Sequence, residues 1–162
     1  MTTKEILLKQ MAACHDEESW FVPMTKALSG LTAEQAAWKD SSTNNSIWEN
    51  VNHLIFWNDR YLLRFNEFET LKFDGNNDST FKGKKATGTE EDWNSTVEKL
   101  YTALSEWQAA LNKASEDKLN SDYSESGSWY SIIADITAHN AYHLGQIVHT
   151  RKLQGSWTPS GQ

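Results

Sequence analysis

Apolar residues recur at spacings of three and four along four stretches of the chain, the period of a helix that buries one face. The clearest series is Trp93, Val97, Leu100, Leu104, Trp107 and Leu111, stepping by 4, 3, 4, 3 and 4. It predicts a helix over about 90–114 with the seam of a packed bundle. Thr89 is its N-cap, and Glu90, Glu91 and Asp92 put negative charge at the positive end of the helix dipole. Ile47, Val51, Leu54, Tyr61, Phe65 and Phe68 predict a helix over about 47–70, opened by a capping box of Ser46 and Glu49. A helix over about 129–154 follows Ser128 as cap, with Arg151 and Lys152 in its last turn and Gly155 just beyond. The first stretch, Leu7, Met11, Cys14, Phe21, Met24 and Leu28, predicts a helix over about 3–29, with a capping box of Thr2 and Glu5 and Gly30 to close it. Pro23 should kink or split that helix near Phe21. A short helix over about 33–38, capped by Thr32, follows.

Helices of this length, each about 36 Å for 24 residues, with two prolines and eight glycines in 162 residues, predict an all-α four-helix bundle formed by residues 1–162 as one domain. The connection 71–88 is polar, with Lys82, Lys84 and Lys85 together, and too long for a tight hairpin. It implies a crossover or a lid between the second and third long helices. Residues 115–127 make a second polar connection.

Charge narrows the partners. Fifteen Lys and Arg against 22 Asp and Glu leave a net charge of −7, which argues against nucleic acid and against an anionic membrane surface. A single cysteine excludes an internal disulfide and any multi-cysteine metal site. No apolar run is long enough to span a bilayer, and the first thirty residues are charged where a signal peptide is apolar, so the reading is a cytoplasmic chain.

The candidate chemistry lies in residues 135–151, DITAHNAYHLGQIVHTR. His139 and His143 are one helical turn apart, which stacks two imidazoles on one face about 5–6 Å apart. Ile132, Ile136 and Ile147 share that face, so both rings point toward the bundle interior. Two buried imidazoles need partners for their nitrogens. A shared metal ion would serve both; core histidines bonded to backbone or water is the simpler alternative. A zinc-type site takes at least three protein ligands, and three other histidines exist, His15, His53 and His149. His149 lies off the face near the helix end, and His15 points away from its neighbour Cys14, which excludes a Cys–His pair. Periodicity places His53 slightly off its helix's seam, with Asn50 and Trp57, and does not decide its role. Asp135, one turn before His139, is either a carboxylate that orients an imidazole or, more simply, a solvated one. Gln146 is assigned to a helix contact, Cys14 to the core, and Trp48 and Trp57 to packing or to a pocket wall beside His53.

Trp48-x4-His53, followed far downstream by His139-x3-His143-x-Gly145-Gln146-Ile147, Arg151 and Leu153-Gln154-Gly155, resembles the DinB-like family. The resemblance covers the helix order of nearly the whole chain, with specific residues matching around His53 and across 136–155. It implies an up-down-down-up bundle and a metal held by His53, His139 and His143. It also implies kinship with bacterial thiol-dependent transferases such as the bacillithiol and mycothiol enzymes, a role in stress response or detoxification, and homodimers.

Three neutral imidazoles would leave one divalent ion, zinc or nickel, with its full charge and an open position, the ligand count of a catalytic site. The expected activity is transfer of a low-molecular-weight thiol to an electrophile, with a small-molecule substrate. The alternatives are metal-dependent hydrolysis, and a non-catalytic metal-binding or interaction bundle in which the ion pins helices together.

Overall fold

The computed structural model describes residues 1–41, 44–83, 85–124 and 127–158. Four long helices, α1 (Thr3–His15), α4 (Ile47–Phe65), α6 (Glu90–Lys113) and α8 (Trp129–Leu153), carry the fold. Among the described residues four short ones lie between them: α2 (Met24–Leu28), α3 (Ala33–Ala37), α5 (Ser79–Lys82) and α7 (Glu116–Asn120). A small antiparallel hairpin, β1 (Asp122–Ser124) with β2 (Gly127–Ser128), leads into α8. α4 and α1 each pack against both α6 and α8, so the long helices form a ring in the order α1, α6, α4, α8.

The directions follow from the two clusters into which the core divides. One holds Ile47, Trp48, Val51 and Leu54 from the start of α4, Trp93, Leu100 and Leu104 from the first two-thirds of α6, and Leu144 and Ile147 from late α8. The other holds Leu62 and Phe65 from the end of α4, Trp107 and Leu111 from late α6, Trp129, Ile132, Ile133 and Ile136 from the start of α8, and Leu7 and Met11 of α1. α4 and α6 therefore run one way and α8 the other. Two parallel neighbours need a long return, and residues 66–89 supply it, with α5 part-way along.

Capping chemistry sets the helix starts. Ser46 Oγ accepts from the Glu49 N–H while Glu49 Oε2 accepts from the Ser46 N–H, and Lys39 Nζ lies 2.6 Å from the same carboxylate. Thr2 with Glu5, Thr32 with Gln35 and Thr89 with Asp92 form the same reciprocal pairs. Ser128 occupies the N-cap of α8, but its side chain makes no capping bond.

The stretch 3–29 is split, one of the two outcomes expected at Pro23, with the break beginning well before Phe21. α1 stops at His15, and residues 16–22 are not helical, with Trp20 fully exposed and Phe21 44 % exposed. Asp16, Glu17 and Glu18 interrupt the apolar face, and Pro23, instead of kinking a helix, serves as the N-cap of α2. Its fixed φ and missing N–H suit a helix start and break an interior. The helix expected over 47–70 ends at Phe65: Glu67 has φ 63° and Phe68 is exposed. The connection 115–127 contains α7 and the hairpin, whose pairing the apolar pattern did not indicate. Gly30 and Gly155, at φ 71° and 76°, take the left-handed conformation expected after a helix.

Buried polar tethers join the layers. Trp93 Nε1–H donates to the Leu31 carbonyl and Trp107 Nε1–H to that of Asn58, each at 3.0 Å. Arg151, expected to complement a helix dipole, is buried. It donates to the carbonyls of Ala27 (2.7 Å), Ser29 (3.0 Å) and Ser156 (2.8 Å), fastening the end of α8 to the end of α2.

Trp107 fills the core against Phe65, at a ring separation of 5.4 Å. Trp107→Ala should cost about 3–5 kcal/mol, read as a lower urea midpoint with the helical far-UV signature retained in the absence of denaturant.

Candidate metal centre

α4 carries His53 and α8 carries His139 and His143, and the ring of helices turns the three side chains toward one point. One potential ligand atom from each lies within 4.8 Å of the other two. His53 Nε2 and His139 Nε2 are 3.0 Å apart. The ring centroids of His143 lie 4.6 Å from those of both His53 and His139. His53 and His143 are buried and His139 is half-buried.

The register that brings α4 to α8 here is held by two buried amides. Asn58 Nδ2–H donates to Asn140 Oδ1 at 2.8 Å, and Asn140 Nδ2–H returns a bond to Asn58 Oδ1 at 3.1 Å. Asn58 Nδ2–H also donates to the Leu54 carbonyl one turn back.

Hydrogen bonding fixes the tautomer of two rings. His143 Nδ1 lies 2.9 Å from Asn50 Oδ1 and 2.7 Å from Gln146 Oε1. The Asn50 amide cannot be turned round, because its Nδ2–H donates to the Ser46 carbonyl. Both neighbours of the ring nitrogen are therefore acceptors, so Nδ1 carries the proton and Nε2 a lone pair. His53 Nδ1 meets Thr80 Oγ1, whose own proton is given to the Asn77 carbonyl at 2.6 Å. The hydroxyl can only accept from the ring, so His53 too is protonated at Nδ1, with its lone pair at Nε2 facing His139 Nε2. Phe81 lies flat on the other side of this imidazole, its centroid 3.9 Å away and its plane 7° off parallel.

Burial holds the rings neutral. It pushes His53 down to about 3, helped by the neighbouring His143 and His139. It also pushes His143 down to about 4, with His139 adding to the effect and the Gln146 bond opposing it. His139 is lowered by the same desolvation. Imidazoles that stay neutral at physiological pH offer a metal their lone pairs without proton competition.

Residues 23–147 match the family model of the DinB superfamily. The chain belongs to the DinB superfamily. No curated protein and no solved structure matches it.

The DinB span starts at Pro23, leaving α1 outside, and includes all three histidines. Within it, a pocket of about 650 Å³ opens beside the rings, its wall formed by Trp57, Asn58, Tyr61, Phe81 and Tyr142 among others. Asp135 lines this pocket, exposed and without a bond to His139. Of the two flanking tryptophans only Trp57 reaches the pocket; Trp48 is buried against Trp93 at a ring separation of 5.2 Å. His149 is exposed and away from the rings. His15 bonds Gln108 at 3.3 Å, and Cys14 meets the Thr137 carbonyl, its thiol pushed up to about 11 by burial. Among the described lysines of the 71–88 connection, Lys85 pairs with Asp92 at 2.5 Å and Lys82 is exposed; Lys84 lies outside the described residues.

Sequence reasoning missed Asn50, Thr80 and Phe81. Asn50 shares the His53 face, but nothing in its spacing indicates a partner on α8. Thr80 and Phe81 sit 27 and 28 residues after His53 in a stretch without periodicity. Gln146, expected to satisfy backbone or a helix contact, instead accepts from the His143 ring and lines the pocket.

Two outcomes follow. Thr80→Val keeps the shape and removes the acceptor for His53 Nδ1–H, so the affinity of the three-histidine cluster for a divalent ion should fall about 10–100-fold, measured by competition with a chromophoric chelator. In the metal-free protein, unfolded imidazoles take up protons near pH 6.5 while His53 and His143 resist to about 3 and about 4. Stability is therefore full above about 6.5 and declines as pH falls toward 4. Urea midpoints of chelator-treated protein should be lower at pH 5 than at pH 7.5, and the difference should shrink in His53→Gln.

Proposed function

We propose that His53, His139 and His143 hold one divalent ion, zinc or nickel, and that the protein is a metal-dependent transferase joining a low-molecular-weight thiol to an electrophile. The observation that carries the metal reading is the pair of locked tautomers: His53 and His143 each spend Nδ1–H on an acceptor and keep an Nε2 lone pair for the shared point. The adjoining pocket supports a substrate, since a site that only braced the fold would need no opening of this size.

An ion bound by three neutral imidazoles supplies enough positive charge to hold a thiol as its thiolate at neutral pH. The chain's own contribution is to orient and to shield. Thr80, Asn50 and Gln146 keep two rings in a single tautomer, and Phe81 covers the outer face of His53. Trp57 and Tyr61 give the pocket apolar wall against which an organic electrophile can rest. A purely structural ion would duplicate a function already served, because the Asn58–Asn140 amides join the same two helices.

Elemental analysis of protein prepared without a polyhistidine tag should find near one zinc or nickel per chain, and His53→Ala should lose it while keeping a helical spectrum. Transfer of a thiol to an aryl halide or epoxide should require the metal. Failure to take up either ion on incubation would overturn the metal reading; a loaded protein without transfer would leave the binding function alone.

A further inference from the structure

The carboxylate and cationic side chains that line the pocket above the three histidines are of one sign only. Two carboxylates line it, Asp78 and Asp135, and no Lys or Arg does among the described residues. Both are exposed, and neither carboxylate has an ion-pair or hydrogen-bond partner among the described residues. The aromatic side chains of Trp57, Tyr61, Phe81 and Tyr142 share the wall, and Tyr142 is 64 % exposed. On the inner side, His143 is 5 % exposed; its Nδ1 bonds Asn50 and Gln146, and among the described residues no hydrogen bond is made by its Nε2.

We propose that this pocket selects a ligand bearing an ammonium group, a small aminothiol in the thiol-transfer reading, whose sulfur faces the imidazoles and whose cation is received by Asp78 and Asp135. The inference rests on the proposed metal centre. Two carboxylates balance a divalent ion held by neutral imidazoles. A bound thiolate then leaves one negative charge in excess, which an ammonium on the same ligand cancels and a carboxylate would double. The aromatic faces add to the attraction, since they receive cations over their π-systems. A thiol carrying carboxylates would meet only like charge on this wall.

The test is calorimetric titration of the zinc-loaded protein with cysteamine, 2-mercaptoethanol and mercaptoacetate, three thiols of similar size and different charge, and with phenethylamine and phenylacetate. Wild type is compared with Asp78→Asn and Asp135→Asn. Cysteamine should bind tightest and mercaptoacetate weakest, and each Asn variant should weaken cysteamine about three- to fivefold, the scale of a partly exposed ion pair, with 2-mercaptoethanol little changed. Equal or tighter binding of mercaptoacetate, or a cysteamine preference that survives both substitutions, would overturn the inference. Phenethylamine favoured over phenylacetate in an Asp-dependent way, with no thiol bound, would uphold the charge selection and remove thiol transfer. Thiols bound without dependence on either Asp would do the reverse, and no binding by any of the five would refute the selection.

Discussion

The reciprocal bond between Asn58 and Asn140 fixes where α4 sits along α8, and the histidine cluster depends on that register. Apolar ridges alone permit a helix to slide by a turn with modest change in burial, whereas two amides that satisfy one another have a single position in which neither is left unpaired. A slip of one turn would displace His53 by about 5.4 Å. His53 Nε2 and His139 Nε2, now 3.0 Å apart, would no longer face a common point. The same Asn58 takes the indole N–H of Trp107 on its backbone carbonyl, so α6 is set against this pair as well.

The polar belt lies where the two apolar clusters meet. Along α8, Thr137, His139, Asn140 and His143 all fall between Ile136, the last member of one cluster, and Leu144, the first member of the other. Interior polar atoms carry a large penalty unless each is matched. Here the matching is directional: Thr137 donates to the Ile133 carbonyl, the asparagines bond each other, and the Nδ1 atoms of His53 and His143 donate to oxygens. What is left over is the set of Nε2 positions, and these face together.

Much of this was legible in the chain. α6 and α8 were readable nearly to the residue because their apolar steps are regular and their ends carry cap and glycine signals. Leu28, Met24 and Phe21 misled because they continue the phase of Leu7 and Met11 across a gap. Pro23 marked the break, yet periodicity cannot tell a kink from a new helix start. His139 and His143 were placed on the interior face by spacing alone. His53 required the family resemblance, since its neighbours Val51 and Leu54 define a seam it does not share. Thr80 was out of reach: its bond to His53 spans 27 residues, and no local pattern encodes which residue of a polar connection will return to a helix. Asn50 and Asn58 read as ordinary polar faces until α8 is in place beside them.

The position of Thr80 on α5, within a chain crossover, makes ligand occupancy and loop order two faces of one equilibrium. Any free energy by which this hydroxyl strengthens metal binding must reappear, by thermodynamic reciprocity, as resistance of residues 77–81 to detachment once the centre is loaded. Because Phe81, which lines the pocket, travels with Thr80, an occupied centre would rigidify its own enclosure. Amide protons of α5 and of the turn before it should thus sense the ion at a distance from any coordinating atom. Sequence changes confined to the crossover can then tune affinity while all three imidazoles are left intact.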